Sequence, residues 1–108
     1  MDLNHCTLTG TLARSPTTRT PEHGTPYVSF TLRVEEASST GQLFTLFVPV
    51  ECYGSAADQA GELTAGDSVL LAGKLKWTSW TDKNGQKRTS LCVLARLVKR
   101  LAPQEGHA

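Results

Sequence analysis

Apolar and polar residues alternate along most of this chain. Cys6, Leu8, Gly10 and Leu12 interleave with Thr7, Thr9 and Thr11. That period of two predicts a half-buried strand. Ser15-Pro16 stops it, and residues 16–26, with three prolines and one glycine, are expected to form a loop. Val28, Phe30, Leu32 and Val34 then alternate with Ser29, Thr31 and Arg33 in a second strand, and Ala37 to Gly41 reads as a polar turn. A third strand runs from Leu43 to Tyr53 and is apolar on both faces: Phe44, Leu46, Val48, Val50 and Cys52 on one, Phe47, Pro49 and Tyr53 on the other. The second face needs a cover, either a partner or a ligand. Pro49, which has no backbone donor, predicts an edge or a bulge.

The pattern changes at Gly54-Ser55. Ser55 is placed to cap a short helix through Ala60, with Asp58 three residues on. A fourth strand follows from Ser68 towards Trp80, and Gly73 inside it permits a tight bend. Asn84-Gly85 marks a hairpin turn into a fifth strand from about Lys87 to Leu101, with Leu91, Val93, Ala95 and Leu97 on one face. Five antiparallel strands with one short helix between the third and fourth are the plan of an all-β OB-fold, a small Greek-key barrel. Residues 1–102 are expected to form this single domain, and 103–108 a short polar tail.

Charge sharpens the picture. The chain of 108 residues has a net charge of only +1. Residues 74–100, however, hold eight lysines and arginines against a single acid, Asp82, and the remainder is net acidic. Both tryptophans, Trp77 and Trp80, fall in this basic stretch, with Lys74, Lys76, Lys83, Lys87 and Arg88 around them. Aromatic rings interleaved with cations suit a nucleic-acid strand, whose bases stack and whose phosphates pair with charge. By parity Lys74, Lys76, Thr78 and Trp80 share one face of their strand, as Phe47 and Tyr53 share one face of theirs. Trp77 has the other parity, with Leu75. It is expected to pack within the barrel or at a subunit contact, and to join the stacking residues if the hairpin twists away from the body.

Other classes find little support. Cys6, Cys52 and Cys92 are an odd set, widely separated, and read as free thiols. His5, His23 and His107 have no metal-ligand spacing to a cysteine or carboxylate. No nucleophile motif surrounds a serine, and no phosphate loop is present, so neither a metal, a cofactor nor an enzymatic activity is expected. The N-terminal residues lack a secretory pattern and no apolar run approaches membrane-helix length. A cytoplasmic location away from membranes is the default expectation.

Several segments in order carry a resemblance: Leu8-Thr-Gly-Thr-Leu12, Pro16-Thr-Thr-Arg19 with Gly24, Phe30-Thr-Leu32, Tyr53-Gly-Ser-Ala-Ala57, Leu63-Thr-Ala-Gly-Asp-Ser-Val69, and Gly73-Lys-Leu75 with Trp80-Thr-Asp-Lys-Asn-Gly-Gln-Lys-Arg88. Together they resemble the bacterial single-stranded DNA-binding proteins from about Asn4 to Leu101. The resemblance implies base stacking on Trp80, Phe47 and Tyr53, phosphate contacts from Arg19, Lys76 and Arg88, and assembly into dimers or tetramers. The function implied is sequence-nonspecific binding in DNA replication, recombination or repair. The family's acidic C-terminal tail has no counterpart before Ala108, so a tail-less form is expected. Glu51 and Pro49 stand where a basic residue is usual, Ser55 replaces a usual lysine, and residues 35–43 lack a stacking tryptophan, which implies weaker DNA binding. The length also resembles a relative, the primosomal replication protein N, which implies an alternative: an OB module acting mainly through replication or primosome proteins.

Overall fold

The computed structural model describes residues 2–20 and 24–101. The predicted tail, His23 and His107 lie outside them. Among the described residues, six strands and one helix follow in the order β1 (Cys6–Leu12), β2 (Thr17–Arg19), β3 (Tyr27–Ala37), β4 (Leu43–Tyr53), α1 (Ser55–Ala60), β5 (Ser68–Thr81) and β6 (Lys87–Arg100). They form one sheet, ordered β1-β5-β6-β4-β3-β2, and a second pairing of β1 with β3 at Thr11–Arg33 and Leu12–Leu32 closes it. The five long strands thus make the OB-fold barrel expected from the sequence. Alternation explains its interior. Val28, Phe30, Leu32 and Val34 of β3 are buried, as are Val69 and Leu71 of β5. Ala56, Ala57 and Ala60 bury one side of α1, which packs against β6, β4 and β3.

Three local expectations are corrected. Thr17–Arg19 is not loop: it pairs antiparallel with Tyr27–Ser29, because proline removes donors from the flanks of this segment but not from the segment itself. The helix cap is Gly54, not Ser55, and no side chain caps it. Gly54 has φ +62°, a turn open to glycine at little cost, so the chain enters the helix one residue earlier than a serine cap requires. Leu97 does not join the core face of β6. The register with β5 shifts between Ala72 and Gly73, leaving Arg96 as an extra residue. A one-residue bulge reverses the side-chain phase, so Val93, Ala95 and Val98 are buried while Leu97 faces out.

Gly73 is where that bulge is accommodated. A Cβ there would collide with the Leu94 carbonyl oxygen and come within 2.8 Å of the Ala95 Cα. Both obstacles are backbone and cannot swing aside. Gly73→Val is therefore expected to lose at least ~1–3 kcal/mol of stability, read as a lower urea midpoint with an unchanged slope.

β4 meets β6 only over a short parallel stretch, from Val50–Val93 to Cys52–Ala95. Pro49 explains the stop. It stays in register with Thr31 of β3 without an N–H to donate, so its nitrogen faces away from β3, towards β6, where it cannot extend the ladder. β1 likewise stops at the Cys6–Gly73 pair. Beyond it Asn4 supplies one further rung, its Oδ1 accepting from Leu75 N at 3.0 Å and its Nδ2 donating to Leu75 O at 2.9 Å. Residues 76–91 consequently form a hairpin arm flanked by no other strand among the described residues.

Candidate nucleic-acid interface

Residues directly opposite in a sheet share a face, so the register assembles the site. Arg19 lies opposite Tyr27, and Tyr27 opposite Tyr53. Ser29 lies opposite Glu51, and Arg33 opposite Phe47. Glu51 pairs with Leu94 of β6, which lies opposite Lys74. Further along the arm the same face carries Lys76, Thr78 with Ser90, and Trp80 with Arg88. Arg19, Phe47, Tyr53, Lys74, Lys76, Trp80 and Arg88, drawn from four strands, therefore occupy one outer face.

Exposure decides what the aromatics can do. Phe47 is 62% exposed, Trp80 49% and Tyr53 43%, too much for core. Trp77 lies on the opposite face, against Leu91, and is 69% exposed. The expectation that it packs within the barrel is overturned, because the arm projects past the last barrel strand. Lys87, opposite Thr81, also lies on that second face, and Lys83 sits in the turn.

Two of the predicted phosphate ligands are already engaged. Lys76 Nζ donates to Glu51 Oε1 at 2.9 Å and lies 5.9 Å from the centre of the Tyr53 ring. The bond to Glu51 raises the lysine pKa above its usual value, opposed by desolvation. Arg88 Nε donates to Asp82 Oδ2 at 2.9 Å, while Asp82 Oδ1 accepts from the amides of Asn84 and Gln86. Asp82 thus ties the turn to the start of β6, and the Arg88 bond holds its carboxyl below the ordinary 3.8. A lowered pKa means stabilisation that is complete above 3.8 and lost as pH falls through the lower folded value. The Asn84 and Gln86 amide resonances are expected to shift with a midpoint below 3.8.

Two residues of this face escaped the sequence reading. Tyr27 stacks on Tyr53, ring centres 5.4 Å apart and 22° from parallel. It follows Pro26, inside the supposed loop, and only its register with Tyr53 exposes it. Arg33 sits beside Phe47, with Glu35 at 3.9 Å. Its parity opposite to Leu32 and Val34 was the available signal.

Of the thiols, Cys92 lies opposite Lys76 but is buried beneath this face. Cys6, Cys52 and Cys92 are all free, and burial, followed by the Glu51 charge, pushes the Cys52 thiol up to about 12. Among the described residues no group of histidines, cysteines and carboxylates could hold a metal ion. No helix among the described residues is long and apolar enough to cross a membrane.

A barrel carrying aromatics and cations on one outer face invites comparison with known proteins. Residues 3–101 match the single-strand binding protein family. The chain belongs to that family. Among individual family members it is 34% identical over 106 residues to the single-stranded DNA-binding protein of Thermus thermophilus, a match covering 98% of this chain and 40% of that protein. The corresponding protein of Thermus aquaticus is 35% identical over 107 residues, with the same coverage. Single-stranded DNA-binding protein 1 of Xylella fastidiosa is 29% identical over 111 residues, covering 97% of this chain and 82% of that protein. The chain therefore spans about two fifths of the length of the two Thermus family members.

Proposed function

We propose that this chain is a non-catalytic module that binds single-stranded DNA through the outer face of β3, β4, β6 and β5, and so serves DNA replication, recombination or repair. The observation that carries the proposal is the register that sets Phe47, Tyr53 and Trp80 on one face with Arg19, Lys74, Lys76 and Arg88. Bases stack on the rings. Phosphates follow the cations, with Lys83 and Lys87 contributing from the turn and the edge of the arm. A ring face is common to every base, so stacking of this kind tolerates any sequence. The binding unit is residues 1–102, and its relatives bear names that fit this use.

Two features adjust the reading. Lys76 and Arg88 must give up or share Glu51 and Asp82 to meet a phosphate. Tyr53, with Tyr27 stacked on it and an ammonium near its ring, takes a base only as that ammonium moves aside. The direct test is a titration with oligo-dT at low salt, following tryptophan fluorescence. Quenching that saturates at a fixed ratio of nucleotides to protein supports the proposal. Unchanged fluorescence with no binding by anisotropy would return the chain to a protein-contact module.

The proposal includes self-association. Leu75, Trp77 and Leu91 face outward on the second side of the arm, and Phe44 and Leu46 are exposed on β4. Leu46, Leu75 and Leu91 line a cleft of about 350 Å³. Apolar surface of this kind is commonly covered by a partner, and here a second copy covers it. Sedimentation equilibrium at micromolar protein is expected to give a mass above one chain, and Trp77→Glu to reduce it.

A further inference from the structure

We infer that Glu51 is a base-reading residue: it gives this otherwise sequence-tolerant face a local preference for guanine over thymine. The inference rests on the single-strand binding proposed above. Glu51 lies at the centre of the face, opposite Ser29 on one side and paired with Leu94 on the other. Its side chain is only 20% exposed, so the carboxylate is held in place. Lys76 fixes Oε1 at 2.9 Å. Among the described residues Oε2 accepts no hydrogen bond, yet it is not sealed from solvent. Tyr53 lies two residues along the same face of β4, and the same ammonium lies 5.9 Å from its ring centre, so the carboxylate has an aromatic neighbour.

An ionised carboxylate accepts hydrogen bonds and donates none. In a single strand the Watson–Crick edges are unpaired and open to reading. Guanine presents two adjacent donors there, N1–H and N2–H, which match the two oxygens of a carboxylate. Oε1 keeps a lone pair for this although Lys76 uses the other. Cytosine and adenine each present one amino group. Thymine presents N3–H flanked by two carbonyl oxygens, which the carboxylate repels. The order expected is guanine first, cytosine and adenine between, and thymine last. Arg33 and Glu35 satisfy each other at 3.9 Å and are more exposed, so they provide no comparable fixed acceptor.

The test compares oligo-dT with the same oligonucleotide carrying one central guanine, then one central inosine, which stacks alike but lacks the N2 amino group. A chain that can slide on thymine will set its register on a preferred base. Guanine is expected to tighten binding about tenfold, and inosine to lose most of that gain. In Glu51→Gln and Glu51→Ala the guanine-to-thymine ratio is expected to collapse towards one. Both variants also free Lys76 and raise affinity for every sequence, so the ratio is the readout and not the affinity itself. Equal binding of the three oligonucleotides by the unaltered chain overturns the base reading and leaves single-strand binding standing, as does a ratio unchanged in both variants. Failure to bind any of them overturns both.

Discussion

Raising salt from about 50 to 200 mM is expected to weaken oligo-dT binding by about fiftyfold if only the unengaged cations meet phosphate. Each phosphate neutralised on a single strand contributes about −0.7 to the slope of log affinity against log salt. Of the proposed ligands, Arg19, Lys74, Lys83 and Lys87 form no ion pair among the described residues, while Lys76 and Arg88 do. Four contacts give a slope near −3. If DNA pulls Lys76 from Glu51 and Arg88 from Asp82, six contacts give a slope near −4 and a loss of about three-hundredfold. The slope therefore reports whether the two ion pairs open on binding. Glu51→Gln is expected to steepen it in the first case and leave it unchanged in the second. A slope near zero would falsify the phosphate path altogether.

Trp80→Ala is expected to cost ~1–3 kcal/mol of binding, roughly a five- to hundredfold loss of affinity. The loss should be similar on oligo-dT, oligo-dC and oligo-dA, because a ring face is what each base shares. Fold stability should barely change: Trp80 stands on the arm, half exposed, and supports no buried neighbour. Trp77→Ala is the internal control. Its ring lies on the other face of the same strand, so it should cost far less DNA affinity and more self-association. Equal losses from the two tryptophans would remove the distinction between the faces.

The order of the five long strands and the helix was legible in the sequence because alternation is a direct consequence of strand geometry, whereas the three-residue β2 was not. β3 needs Val28, Phe30, Leu32 and Val34 inside, and nothing but a strand puts them on one side. The bulge at Arg96 was not legible. It depends on how Gly73 meets Leu94 and Ala95 across the ladder, and parity counted along one strand carries no information about an extra residue opposite. Parity within a single strand marks Trp80, Phe47 and Tyr53 as candidates one strand at a time. That they share a face with Arg19 and Lys76 is a property of cross-strand register, which no single segment contains. The engagement of Lys76 by Glu51 was invisible for the same reason: the two residues are 25 positions apart. Strand parity puts the acid on the face but carries nothing about which lysine it holds.

Pro49 sets the aperture between the arm and β4. A parallel ladder grows one rung at a time, and the first rung past Val50–Val93 would need a donor that proline lacks. With any other residue there, β4 and β6 could zip onward towards the turn and swing the arm down against the first half of β4. The missing proton thus leaves the tryptophan-bearing arm unzipped from the first half of β4, where Phe47 stands exposed.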